Sequence, residues 1–361
     1  INAVTGHALD YDDTHFESLG HTSTVVISSA LAVSDRNKSD VKVFKEGVLV
    51  GIETAIRIGI WLGRKHYHQG FHVTATAGIF GSAVAAAHIL GLSKRKTINA
   101  IGIASSSSSG IKAQFGSMAK PIQVGFAASR GVESAFLAQK GIKPDSKILD
   151  KADGYGATYS AEFKKSAFLN LGKKYFINDV KFKFHACCHG THSSIEALIY
   201  LRDNYQLKES IIDMIQIFIN PQYLKICNIE KPKSGLEIKF SYKMIAALII
   251  NKFNTTRLDT FSDRNCNRKK LLSFCKKVKI IANNKILETQ SKVIITLVNG
   301  KTLKKKYDIL DKVSFETLEN KLFLKAKSLL GEQISSKLWC DKLFENSLPS
   351  NWIENNLKYF S

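Results

Sequence analysis

Residues Thr74–Leu92 read TATAGIFGSAVAAAHILGL. Glycine and alanine leave little side chain on any face, and small residues let helices approach closely. The segment is therefore expected as a buried central helix rather than a surface one. Helix-patterned sequence flanks it. Upstream, TSTVVISSALAVSD opens at a capping-type Thr or Ser, and VKVFKEGVLVGIETAIRIGIWLG carries a broad apolar stripe at helical spacing. Downstream, SKRKTINAIGIASSSSSG (Ser93–Gly110) supplies a cap, an amphipathic turn or two and a serine run. Five serines invite a low-complexity reading. Because patterned sequence continues on both sides, a helix end leading into a site loop is preferred. From Thr22 to about Gly141 the chain reads as helices joined by short glycine-marked turns.

After Asp179 the period changes. IIDMIQIFIN alternates Ile215, Ile217 and Ile219 with period two, and KVIITLVNGKTLKKKYDIL is two strand-like runs about Asn299-Gly300, a strong hairpin signal. SSIEALIYLRDNY just before them and FSYKMIAALIINKF between them read as helices, and FETLENKLFLKAKSLLG and SKLWCDKLFENSL as helices after them. The expected fold class is mostly α with an inserted α+β domain: a helical body from residues 1–179 and 311–361, with the insertion at 180–310.

The chain has 361 residues, 44% hydrophobic and 23% charged, as expected of a globular protein with a real core. Its formal net charge of +21 is uneven: residues 1–150 hold 16 basic and 11 acidic side chains, and residues 151–361 hold 36 and 20. Much of the excess is scattered lysine, and no recognisable nucleic-acid module or interleaved aromatics accompany it, so a solvated surface is expected and nucleic acid is not a partner. The six cysteines form no CxxC pair, which argues against a zinc site or disulfide framework and for a reducing, cytoplasmic setting. Adjacent Cys187 and Cys188 are expected as free thiols. No apolar stretch is long enough to span a bilayer, so no membrane association is expected.

Four stretches combine ionisable side chains with turn residues: HALDYDDTHFESLGH (His7–His21), HYHQGFH (His66–His72), FGSMAKPIQVG (Phe115–Gly125) and KFKFHACCHGTH (Lys181–His192). The first packs four acidic side chains and three histidines into an otherwise basic chain. Each has a structural alternative. Asp10, Asp12 and Asp13 suit helix capping, His72 suits a satisfied core histidine, His192 a helix cap, and Lys120 a solvated loop before Pro121. Metal binding is disfavoured, since no H-E-x-x-H spacing occurs and within HYHQGFH only His68 and His72 stand at i, i+4.

Together these stretches, with GFHVTATAGIFGSAVAAAHILGLS and the weaker FSYKMIAAL, resemble in order the motifs of the MmgE/PrpD family. The resemblance spans essentially the whole chain. It implies a helical domain built from both chain ends, an α+β lid between them, a homodimer, and a lyase that uses no metal or organic cofactor on a small polycarboxylate. Dehydration of 2-methylcitrate is the first expectation. Decarboxylation of cis-aconitate, epimerisation or isomerisation of a dicarboxylate, and an inactive relative are the alternatives. By motif position, His21, His72, Lys120 and Lys183 are the expected catalytic residues, and Asp10, Thr14, Cys188 and His192 the substrate-binding ones. The chain departs from the pattern at Gln123, where the family commonly has histidine, and at Ala186, where it commonly has proline. The resemblance further implies that the sequence starts after the family's first helices.

Overall fold

Residues 1–341 and Leu348 are described in the computed structural model, which is mostly helical with a four-stranded mixed sheet. It divides into two compact units. The first comprises Ile1–Phe182 with the terminal stretch from Ser336, and the second Lys183–Ser335.

The first unit holds helices α1 (Asn2–Ala8), α2 (Thr22–Asn37), α3 (Val41–Gln69), the short α4 (Val73–Thr76), α5 (Gly78–Ile89), α6 (Lys94–Ser107) and α7 (Ala119–Gln139). Helix α5 is central, with every residue buried except Val84 and His88. Its neighbours touch it backbone to backbone. A Cβ on Gly51 of α3 would lie 2.8 Å from the Gly81 carbonyl oxygen, and one on Gly81 would lie 2.6 Å from that of Gly51. Around this crossing Val25, Val26, Ala55, Ile56, Phe80 and Ala86 close a dry core. Helix α3 is bent at Gly63, whose φ of 75° lies in the left-handed region and where a Cβ would meet Glu162.

The serine run ends α6 at Ser107, and Ser108 Oγ then donates to the Thr76 carbonyl at 3.1 Å. His66 is a structural prop. Its Nδ1 donates to the Tyr159 carbonyl at 2.5 Å, its Nε2 meets Thr76 Oγ1 at 2.8 Å, and its ring stacks on Phe71. His15 is likewise buried, with Nδ1 accepting from the Ser18 amide at 3.2 Å. Burial holds both rings at a pKa of about 4.

In the second unit β1 (Ile212–Ile219), β2 (Val278–Ala282), β3 (Gln290–Leu297) and β4 (Thr302–Asp308) form one sheet in the order β2-β1-β3-β4. Strands β1 and β2 run parallel, and the other neighbours antiparallel. Ile215, Ile217 and Ile219 face the core with their expected period, and β3 and β4 form the hairpin about Asn299-Gly300. Helices His192–Asn204, Tyr242–Ile250 and Phe315–Leu330 stand where their patterns put them. The expected last helix is described only as Glu332–Cys340, and apart from Asp341 and Leu348 the rest of SKLWCDKLFENSL lies outside the described residues.

Two outcomes follow. In a helix, Gly→Ala usually gains about 0.5–1 kcal/mol from propensity. At Gly81 the 2.6 Å approach wins instead, so Gly81→Ala should lose about 1–3 kcal/mol in urea unfolding at unchanged m-value; a gain would mean the crossing tolerates a methyl. The neutral histidines act on acid stability. Their folded pKa of about 4 lies below the ordinary unfolded value near 6.5, so their contribution is complete above pH 6.5 and lost as pH falls toward 4. Each should remove about 2 kcal/mol between pH 7 and 5. Unfolding of His15→Gln at the two pH values should show a shallower loss than the parent, and equal losses would contradict this.

Candidate active site

The turn after α1 sets the site. Leu9 ends the helix, and Asp10 then adopts a left-handed conformation with φ of 56°. This sends Asp12 back toward His7, so that His7 Nδ1 donates to Asp12 Oδ2 at 2.5 Å. Asp12 Oδ2 also accepts from Thr24 Oγ1 at 3.2 Å. Asp13 turns the other way and serves α2. Its Oδ1 accepts from the Ser23 amide at 3.1 Å and its Oδ2 from Thr22 Oγ1 at 3.2 Å, so for this carboxylate the capping alternative holds.

His21 precedes α2, and its Nδ1 donates to the Asp13 carbonyl at 2.5 Å, with Thr14 Oγ1 at 3.3 Å and Asp12 Oδ1 at 3.8 Å. Its side chain is 18% exposed, whereas His7 and His72 are buried. His72 stands before α4, tied by its amide to the Gly110 carbonyl at 3.0 Å. Gln123 fixes the ring. Its Nε2 donates to the Ile111 carbonyl and its Oε1 accepts from the Ile111 amide, so Oε1 faces His72 Nδ1 at 2.9 Å. An amide oxygen only accepts, so His72 carries its proton on Nδ1 and presents a lone pair at Nε2.

Lys120 lies in the first turn of α7, where α1 crosses so closely that a Cβ on Gly125 would meet Val4 at 2.3 Å. Its ammonium is buried 3.5 Å from Asp10 Oδ1 and 5.6 Å from the Phe115 ring centre. The His7 ring lies 5.2 Å from that of His21 and 5.8 Å from that of His72. Asp10, Thr14, His21, His72 and Lys120 thus come together in the first unit, as their motifs suggested. His7 and Asp12 join them, although no site role was expected of either. The available signal was their place within the acidic stretch.

Burial dominates the electrostatics. It pushes the His7 pKa down, against the opposing pull of Asp12, and the nearby Lys120 charge adds to the fall. His72 is driven well below the ordinary histidine range by burial and by the His7 and Lys120 charges, with only the Gln123 amide opposing. Among the described residues, His7 Nε2 and His72 Nε2 are buried without a hydrogen-bond partner. Such atoms suit a ligand that brings donors or protons of its own.

Lys183, Cys188 and His192 belong to the second unit. Lys183 is buried. His192 does not cap its helix through its side chain; its Nε2 donates to the Cys187 carbonyl at 3.3 Å, and its ring lies between His185 and His189. Burial, with the charges of His189, His185 and Lys183, lowers its pKa well below the usual value. Cys188 Sγ lies 3.2 Å from Cys227 Sγ, and all six cysteines are free thiols. His185 and Lys321 flank Glu196 at 3.4 and 2.6 Å. Burial acts against ionisation of that carboxyl, but these partners hold its pKa at about 2. Among the described residues no group of three or more His, Cys, Asp or Glu is arranged to hold a metal ion, and no helix is long and apolar enough to cross a membrane.

The sequence matches the MmgE/PrpD N-terminal domain over residues 1–167 and the MmgE/PrpD C-terminal domain over residues 185–337. Similar proteins include cis-aconitate decarboxylase of Mus musculus, 28% identical over 351 residues that cover 91% of this chain and 71% of that protein. The Homo sapiens protein of that name is 26% identical over 359 residues, covering 91% and 72%. Cis-aconitate decarboxylase of Aspergillus terreus is 28% identical over 220 residues, covering 56% of this chain and 45% of its own length. With both domains of the family matched in order, and the motif residues of the first gathered around one buried lysine, this chain is a member of the MmgE/PrpD family.

Proposed function

We propose that this chain is a lyase acting on a small polycarboxylate, with decarboxylation of cis-aconitate as its reaction. The observation that carries the reading is the buried Lys120–Asp10 pair, 3.5 Å apart, beside histidines whose buried Nε2 atoms have no hydrogen-bond partner among the described residues. The relatives named for cis-aconitate decarboxylation support the choice of reaction.

The chemistry asks for these groups. The bond between the methylene carbon of cis-aconitate and its carboxylate breaks, releasing carbon dioxide. That electron pair forms a double bond to the central carbon, and the pair of the old double bond moves to the vinylic carbon beside another carboxylate. A proton from the enzyme then joins that carbon, so a trianion and a proton become a dianion and carbon dioxide. Charge gathers on carboxylate oxygens during the shift, where the fixed ammonium of Lys120 stabilises it. An imidazolium supplies the proton. Asp10 alone would repel the substrate; its pairing with Lys120 instead aims the ammonium.

Dehydration of 2-methylcitrate is the second reading. It is favoured by the contact of the His7 ring with both His21 and His72, since elimination needs one group to take a proton and another to assist the departing hydroxyl. Lys183, as a further cation, and Cys188 and His192, as substrate-binding groups, enter the proposal from the family motifs. A homodimer in the cytoplasm belongs to the same proposal.

The test is incubation of the purified protein with cis-aconitate, 2-methylcitrate and citrate, reading carbon dioxide release and product mass. Carbon dioxide with a decarboxylated dianion from cis-aconitate is expected. Water loss from 2-methylcitrate would favour the second reading, and inertness toward all three a non-catalytic relative. Lys120→Ala and Lys183→Ala should each lower turnover about a hundredfold or more. Because Lys120 lies against buried Asp10, its removal should also cost about 3 kcal/mol of stability, so the comparison is made on protein verified as folded. Parental turnover in both variants would remove these lysines from the mechanism.

A further inference from the structure

We propose that His7, held by Asp12, is the histidine that delivers the proton, and that His72 stays neutral throughout. The inference rests on the polycarboxylate lyase reading and assigns a role to a residue for which none was expected from motif position.

The two rings are alike in burial and differ in what stands behind them. Each has Nδ1 engaged and Nε2 buried without a partner. Behind His7 is a carboxylate, Asp12, at 2.5 Å; behind His72 is the neutral Gln123 amide at 2.9 Å, its orientation locked by two hydrogen bonds to Ile111. A carboxylate stabilises the imidazolium by charge, and a neutral amide does so only weakly. The groups facing His7 are Asp10 and Asp12 from its own turn, His21 from the start of α2, His72 from the start of α4 and Lys120 from α7. In the absence of ligand, burial and Lys120 outweigh the carboxylates and the ring is neutral. A bound trianion adds negative charge beside Nε2. The shift favours protonation first at the ring that already has a carboxylate behind it, which is His7. During decarboxylation the Nε2–H bond breaks, its proton joins the carbanionic carbon, and the neutral ring is recharged from water.

His21 is the rival. Its Nδ1 contacts the Asp13 carbonyl at 2.5 Å and stands 3.8 Å from Asp12 Oδ1, whereas His7 Nδ1 is bonded to Asp12 Oδ2 at 2.5 Å.

Two measurements test this. In kinetics with cis-aconitate, His7→Ala should lower kcat about a hundredfold or more with a smaller change in KM, and added imidazole should restore part of it in proportion to its protonated fraction. Asp12→Asn should move the alkaline limb of the pH profile to lower pH, by about one unit, because the protonated form loses its supporting charge. Full activity in His7→Ala, or an unmoved limb in Asp12→Asn, would overturn the proposal while leaving the lyase reading intact. The second measurement needs no turnover. Side-chain nitrogen NMR of the parent protein with tricarballylate, an unreactive tricarboxylate, should show His7 becoming imidazolium and His72 remaining the neutral Nδ1–H form. Protonation of His72 with His7 neutral, or protonation of neither, would overturn the assignment even in a protein inert toward cis-aconitate.

Discussion

An ammonium buried 3.5 Å from a carboxylate adds its charge to the burial that sets the state of the rings around it. Lys120 and Asp10 are out of water, so each neighbouring ring must either stay neutral or find a charge of its own. His72 stays neutral behind an amide, while His7 balances burial against Asp12. The result is a site with the Lys120–Asp10 pair, the Asp12 carboxylate and two imidazoles, His7 and His72, on the neutral side. A polyanion entering such a site changes the balance by its own charge, and the protonation needed for reaction then accompanies binding.

That arrangement is made possible by backbone proximity elsewhere in the first unit. The near-contact of Gly51 with Gly81 lets α3 and α5 pack without intervening side chains, and Gly125 lets α1 lie directly on α7. The second crossing carries His7 to Lys120. The left-handed Asp10 then folds the following carboxylates in opposite directions, Asp12 to His7 and Asp13 to α2. Three of the four acidic side chains in one short stretch therefore do separate things, which their clustering alone did not reveal.

Legibility in the sequence followed the range of the interaction. Local signals worked: the small-residue helix, the Asn299-Gly300 hairpin and the alternating isoleucines of β1 each announce a contact that their own composition requires. Strand β2 was hidden because it is a short edge strand in lysine-rich sequence, with only Val278 buried. The bend of α3 at Gly63 was hidden because the side chain packed against that glycine, Glu162, lies some hundred positions away. In the first unit, motif position pointed to Asp10, His21, His72 and Lys120, which lie close together there. It passed over His7, whose importance comes from a tertiary neighbour and a backbone reversal. Gln123, noted only as a departure from the family pattern, proved to be the residue that sets the His72 tautomer.

The account makes proton uptake inseparable from anion binding. Calorimetric titration of the protein with tricarballylate near pH 7.5, repeated in buffers of different ionisation enthalpy, measures that coupling directly. The prediction is uptake approaching one proton per site, strongly reduced in Asp12→Asn. Binding with no proton exchange, or with proton release, would show that the rings around Lys120 do not respond to substrate charge and would contradict the account.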